Sequence, residues 1–188
     1  MKSNNQELKR MVLIAMLGAI AYLLMFVSFP ILPYVPFLKL DFADVPILLG
    51  LLMLGPVAAI EITILKLFLY WMTMGFSVIE LVGLLGSLVA SLLLIISFWL
   101  MKKWLLAGSK KKGLAIVCAA VVLAVGMSLL NYFILMPVYI NVAGFKLSIS
   151  LPKLILIGVF PFNLIKGVVD GALLVLIYGR LKNWIAQR

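Results

Sequence analysis

The 188 residues contain no histidine, which excludes imidazole metal ligation and histidine-based acid–base catalysis. The single cysteine, Cys118, lies inside an apolar run, cannot form an intramolecular disulfide, and reads as a small buried hydrophobe. Charge is scarce as well, at 12% of residues against about 25% in soluble domains. Acidic charge is scarcer still, with 6 Asp and Glu facing 16 Lys and Arg for a formal net charge of +10. No phosphate-binding loop of the G-x-x-x-x-G-K-[ST] type occurs. The run Gly108-Ser109-Lys110-Lys111-Lys112-Gly113 lacks that spacing and reads as a basic loop, so ATP hydrolysis by that route is excluded. What is present in abundance is apolar surface: 66% of residues are hydrophobic and the mean hydropathy is +1.28. A soluble domain and a disordered chain are both excluded, and a polytopic membrane protein remains. At about 20 residues per span, the chain has room for six or seven helices.

Apolar runs at 11–29, 45–60, 62–74, 76–101, 113–136 and 154–178 predict six spans. The first run lacks a small-residue cleavage site and reads as a retained helix. Gly55-Pro56 breaks the second run from the third, giving two short helices. Residues 30–44 carry Pro30, Pro33 and Pro36 and cannot propagate a helix, yet Tyr34, Phe37, Leu38, Leu40 and Phe42 are too apolar to float free. This loop is expected to fold back as an outer lid. A second outer loop is expected at 137–152, and Pro161 is expected to kink the last span.

Lysine and arginine set the orientation. Lys2, Lys9 and Arg10 precede the first span, Lys102, Lys103, Lys110, Lys111 and Lys112 fill the basic loop at 102–112, and Arg180, Lys182 and Arg188 follow the last. Six spans put all three clusters on one side, the cytoplasmic one, leaving Lys39, Lys146 and Lys153 outside. The net charge therefore reflects cytoplasmic loops rather than nucleic-acid binding. Trp99, Trp104 and Trp184 fall near the inner interface, where indoles anchor. The expectation is an all-α integral membrane protein, a single domain 1–188 of six transmembrane helices with both termini cytoplasmic.

Ionisable groups within spans are costly and usually functional. Glu61 and Lys66, placed towards the inner end of the third span, read as snorkelling or as a local pair between the short helices. Glu80 begins the fourth span, with Gly83 and Ser87 following at i+3 and i+7 on one small polar face. Asn163, Lys166 and Asp170 share a face of the last span. Lys166 and Asp170 could neutralise each other, and Asn163 could satisfy the kink at Pro161 or meet a ligand. From the expected helix ends, Asn131 lies about 8 Å deep and Asn163 roughly 13 Å deep. Three polar groups from three helices then share the outer half of the membrane, beneath the two outer loops. They read as an outward-facing pocket capped by residues 30–44.

Amides, one ammonium and a carboxylate among aromatic and aliphatic side chains suit a mostly apolar ligand with a few hydrogen-bonding groups. An asparagine offers donor and acceptor together, matching the C=O/N–H edge of a planar heterocycle. A bare ion would need more charge. The small pairs Ala15/Ala19, Gly86/Ala90 and Gly167/Gly171 allow close helix approach within one chain or between chains. A stand-alone secondary transporter is commonly larger and built of repeated halves.

The segment Leu38-Lys39-Leu40-Asp41-Phe42-Ala43-Asp44-Val45-Pro46, followed by Gly55-Pro56, resembles the riboflavin-specific S components of energy-coupling-factor (ECF) transporters. Asn131-Tyr132-Phe133 with Pro137, and Pro161-Phe162-Asn163-Leu164-Ile165-Lys166-Gly167, resemble that family's fifth and sixth helices. The resemblance covers essentially the whole chain. It implies a cell-membrane subunit that binds riboflavin from outside and presents it to a shared module of one transmembrane T component and two cytoplasmic ATPases. It further implies that Ala15 and Ala19 dock on the T component, that the first outer loop gates the site with backbone groups around Leu40 and Ala43, and that Asn131, Asn163 and Lys166 bond the ligand. Asp41, Glu80, Gly83 and Asp170 complete the candidate ligand-binding set. Phosphorylated flavin and flavin analogues are further candidate ligands. Neither a metal nor a resident cofactor is expected. One alternative is an S component for a different vitamin, because a helical scaffold does not choose its ligand. The other is an intramembrane enzyme, for which only Glu80, Lys166 and Asp170 are available.

Overall fold

The computed structural model describes residues 2–32, 35, 38–75, 77–145, 147 and 149–186, together with all side chains in that set except those of 2–4, 143 and 182–186. Pro33, Tyr34, Pro36, Phe37, Lys146 and Arg188, which figure in the sequence reading, lie outside the described residues, as do the side chains of Lys2, Lys182 and Trp184.

Helix α1 (Lys2–Phe26) leads to a two-residue antiparallel pair, β1 (Phe29–Pro30) with β2 (Lys39–Leu40), in which Phe29 faces Leu40 and Pro30 faces Lys39. The loop expected at 30–44 is thus pinned at its base, and its end already belongs to α2 (Asp44–Leu54). Val35 is fully buried against Met136 and Leu154 and lies over Gly158, where an added Cβ would come within 2.6 Å of a Val35 methyl. Among the described residues of the loop, Val35 packs back onto the protein, with Leu32 and Leu38 beside it.

Gly55, at φ +96°, separates α2 from α3 (Pro56–Met74), with Pro56 preset for the first helical turn. The boundary lies earlier than the runs 45–60 and 62–74 place it, so Ile60 and Glu61 are interior to α3. Helix α2 has 11 residues and is about 16 Å long, short of the hydrocarbon thickness of about 30 Å. It is apolar around its whole circumference, which leaves it no solvent- or lipid-facing side, and every residue from Asp44 to Leu52 is buried. It sits at the centre, touching α1, α3, and the helices Val78–Leu100 and Phe160–Ala186. Ile47, Leu48 and Leu51 pack with Ile62, Leu94 and Phe98 there.

Helix α4 (Val78–Leu100) is followed by a single turn, α5 (Lys102–Leu105), whose Leu105 is buried, so the basic segment 102–112 is partly helical. Trp99 and Trp104 are both exposed at this end. Helix α6 (Ser109–Leu130) widens into a π turn, Asn131–Leu135, and continues as α7 (Met136–Ala143). The last span repeats this plan: α8 (Leu151–Leu154), a π turn at Ile155–Val159, then α9 (Phe160–Ala186). The break expected at 137–152 therefore shrinks to the stretch between Ala143 and Leu151.

Prolines account for both π turns. Pro137 and Pro161 each stand two residues beyond the end of a π turn, and the carbonyl four residues before each, that of Phe133 or Ile157, lies at its middle. A proline ring clashes with that carbonyl in a regular α-helix, and a widened turn moves it aside without ending the helix. In a bilayer, continuation is favoured because a broken helix exposes backbone groups to hydrocarbon.

Five helices among the described residues are long and apolar enough to cross a membrane: Asn5–Phe26, Pro56–Met74, Val78–Leu100, Ser109–Val142 and Leu151–Leu181. The protein is a mostly helical, multi-pass membrane protein. The pair Gly167/Gly171 works inside the chain: an added Cβ on Gly167 would lie 2.6 Å from the Cα of Ala120, so α9 and α6 touch backbone to backbone. Glu61 does not pair with Lys66. It accepts from Arg10 of α1 at 3.0 Å, with both side chains exposed.

Candidate ligand-binding site

A cavity of about 490 Å³ lies between α4, the π-turn regions of the last two spans, and the segment Leu38–Asp44. Such a volume suits a ligand of vitamin size. Leu38, Ile79, Met127, Leu135, Met136, Phe145 and Phe162 supply apolar walls, while Gly83, Gly86 and Ala90 keep the α4 wall low. The polar groups are Lys39, Asp41, Asp44, Ser87, Asn131, Tyr139, Asn163 and Lys166.

Asn131 opens one π turn, and Asn163 follows the other by four residues. Both are buried, and each donates Nδ2 to the carbonyl four residues back, Met127 O and Val159 O, at 2.8 Å. That bond fixes which end of the amide is nitrogen. Each side chain is left with its Oδ1 as acceptor and a second N–H as donor for a ligand. Because the helices extend further than the sequence implies, the two asparagines, expected at unequal distances from their helix ends, stand at equal ones. Twelve residues separate Asn131 from Ala143, and twelve separate Leu151 from Asn163, about 18 Å in each case.

Beside the amides lies a buried ion cluster. Lys166 Nζ contacts Asp44 Oδ2 at 3.0 Å, Asp170 Oδ2 at 3.3 Å, and both Oδ1 and the backbone carbonyl of Asp41 at 3.4 Å. Lys66 Nζ contacts the other Asp44 oxygen, Oδ1, at 3.4 Å and also Ser91 and Ser87 at 3.2 and 3.4 Å. Ser91 Oγ donates to Asp44 Oδ1 as well. Lys66 is 1% exposed and lies mid-way along α3, so its reading as a snorkelling, inner-end residue is corrected, while the alternative of a local pair between the short helices is met by Asp44 of α2. Three carboxylates and two ammoniums are thereby gathered from α2, α3, α9 and the loop. Removing such charges from water costs several kcal/mol each unless they are paired, which explains why they are found together.

Of the expected site residues, Asp41, Gly83, Asn131, Asn163 and Lys166 line the cavity. Leu40 and Ala43 are buried alongside it, Ala43 N donating to Asp41 Oδ1 at 2.9 Å and so shaping the loop that carries Asp41. Asp170 lies behind Lys166, fully buried, and neither of its oxygens has a hydrogen bond among the described residues. Glu80 is half-buried and is not among the lining residues. Ala15 and Ala19 are exposed on α1, whereas Gly18 between them faces Leu65 of α3. Asp44, Lys66, Ser87, Ser91 and Tyr139 were not singled out as site residues from the sequence. One signal was there to find: Asp44 and Lys66 lie eleven residues either side of Gly55, so a helical hairpin turning at Gly55 brings them level.

The family model described as "ECF transporter, substrate-specific component" matches residues 9–178. The riboflavin transporter RibU of Staphylococcus aureus (strain TCH60) is 36% identical over 189 residues, covering 99% of this chain and 97% of that protein. The riboflavin transporter FmnP of Bacillus subtilis (strain 168) is 33% identical over 186 residues, covering 97% and 96%. Among solved structures, one described as "Structure and mechanism of the S component of a bacterial ECF transporter" superposes with a TM-score of 0.78 at 35% identity, covering 95% of this chain and 98% of that one.

Proposed function

The chain belongs to the substrate-specific components of ECF transporters, and from that premise we propose that it binds riboflavin in the cavity described above and delivers it for uptake. The observation that carries this reading is the pair of oriented amides. Asn131 and Asn163 each present an acceptor and a donor into a cavity of about 490 Å³ with apolar walls. A flavin ring system is flat and largely apolar with a polar C=O/N–H edge, which such amides complement. Phe162, Leu135 and Met127 are placed to cover its faces, while Lys166 and the aspartates offer partners to ribityl hydroxyls. Gly83 lines the site, and Glu80, Asp170, Leu40 and Ala43 support it at its margins.

In this reading six helices traverse the protein, the short α2 among them, and both termini are cytoplasmic. The lysine and arginine clusters before α1, around α5 and at the end of α9 support that orientation. The cavity then opens outward beneath residues 30–44. The chain works without an ATPase of its own: a T component and two cytoplasmic ATPases drive uptake in trans. Ala15 and Ala19 supply the helix face on which the T component docks, which their exposure supports. Riboflavin is the cargo, and no cofactor takes part.

Titration of purified protein with riboflavin, followed by quenching of flavin fluorescence, tests the reading. Saturable quenching at one flavin per chain is expected, and ligand-loaded protein should be yellow. Absence of quenching in well-folded protein would overturn it, and a competing vitamin that binds instead would identify an S component of different specificity.

A further inference from the structure

Lys66 is the one cluster ammonium that does not line the cavity. Its side chain is nevertheless among the largest that are fully buried, and its contacts converge on the cavity wall. The carboxylate of Asp44 is divided between two ammoniums: Oδ1 is held by Lys66, with Ser91, and Oδ2 by Lys166. Ser87, which does line the cavity, takes a further contact from Lys66 at 3.4 Å. With every group ionised, the cluster carries three negative and two positive charges. Without Lys66 it would carry three and one, and the whole demand of Asp44 would fall on Lys166.

Lys166 is already shared between Asp41, Asp44 and Asp170. A ligand can recruit its N–H donors only to the extent that the carboxylates release them. Coulomb attraction between buried charges is strong and little screened, so an Asp44 deprived of its second counter-charge would draw Lys166 closer and withdraw it from the cavity. We propose that Lys66 is a positioning residue for ligand recognition: by taking one oxygen of Asp44, it keeps Lys166 available to the bound flavin. This rests on the assignment of the cavity as the riboflavin site.

The arrangement also accounts for the placement of Lys66 on α3, a helix that contributes no lining residue. Asp44 opens the first turn of α2, which the turn at Gly55 links along the chain to α3. The pair Asp44–Lys66 therefore ties the loop-side end of α2 to the middle of α3 and fixes the carboxylate relative to α9. A hydrophobic residue at position 66 would fill the space but leave that carboxylate with one partner fewer.

The test is a double-mutant cycle on the full-length protein in detergent, read by riboflavin titration well below each variant's own unfolding temperature. Lys66→Met alone is expected to weaken riboflavin at least tenfold. Asp44→Asn removes the carboxylate that Lys66 balances, so Lys66→Met added to Asp44→Asn should cost less than threefold more. Equal losses from Lys66→Met in both backgrounds would overturn the proposal, as would a fall in thermal stability with unchanged affinity, which would assign Lys66 to stability alone. If Lys66→Met does not yield folded protein, Lys66→Gln is measured in the same two backgrounds under the same criteria. Failure of the unaltered protein to bind riboflavin would instead overturn the functional assignment, so the two failures are distinguishable.

Discussion

Asn131 and Asn163 make the same bond on two different helices, each donating its side-chain nitrogen to the carbonyl four residues earlier at 2.8 Å. Both bonds lie at π turns that a proline forces open, and both amides end up equally far from the loop-side ends of their helices. The amides that line the cavity are thus oriented twice by one kind of side-chain bond. Because α6 and α9 are in backbone contact at Ala120 and Gly167, the two copies are held in fixed relation.

Replacing either asparagine by leucine should weaken riboflavin by about 1–3 kcal/mol, since a buried polar group of the ligand is left unpaired. The variants should still insert and purify, because among the described residues each amide bonds within its own helix. Fluorescence titration reads the loss, and unchanged affinity in both variants would remove the amides from the site.

Lys166→Leu is expected to do more than abolish a ligand contact. Among the described residues it leaves Asp41 and Asp170 with no ion-pair partner and Asp44 with Lys66 alone, and breaking a buried ion pair on one side costs about 3–5 kcal/mol. Thermal unfolding in detergent should show a large drop, and adding Asp170→Asn should restore part of it. A variant with unaltered melting would show that the cluster contributes nothing to stability.

Gly167→Ala should destabilise the protein by about 1–3 kcal/mol, since its new methyl meets backbone rather than a side chain that can turn away. Riboflavin affinity should fall with it, as the helices bearing Asn131 and Asn163 are pushed apart. Gly179→Ala, on the same helix with nothing within 4 Å of the added carbon, is the control and should change stability by less than about 1 kcal/mol. Equal melting temperatures for the two variants would contradict the close approach.

Changing Ala15 and Ala19 together to leucine should separate binding from transport. Both residues are exposed on α1, so larger side chains disturb no internal packing and riboflavin should bind normally. In cells that supply the ECF module, the variant should neither co-purify with it nor accumulate riboflavin. Normal uptake would place the docking face elsewhere.

The sequence by itself determined the solvent in which this protein folds. A chain with 66% hydrophobic and 12% charged residues, arranged in long unbroken apolar runs, satisfies its backbone in a bilayer as helices. The hairpin turn at Gly55-Pro56, the folded-back loop with its apolar residues, and the candidacy of Asn131, Asn163 and Lys166 were legible for the same reason, since each is a local departure from an apolar background. Tertiary structure decided the rest. Pro137 reads as the end of a span, because proline forbids a regular helix. Only the packing of the following turn against Val35 and α4 shows that the helix widens and carries on. Lys66 reads as a snorkelling cation or as half of a local pair between the short helices, because a sequence does not say which side of a helix faces lipid. The central position of α2 turns that side inward, and Asp44 and Lys66 meet across the hairpin. Hydropathy is a property of each residue alone, whereas the partner of a buried charge is a property of how helices are arranged.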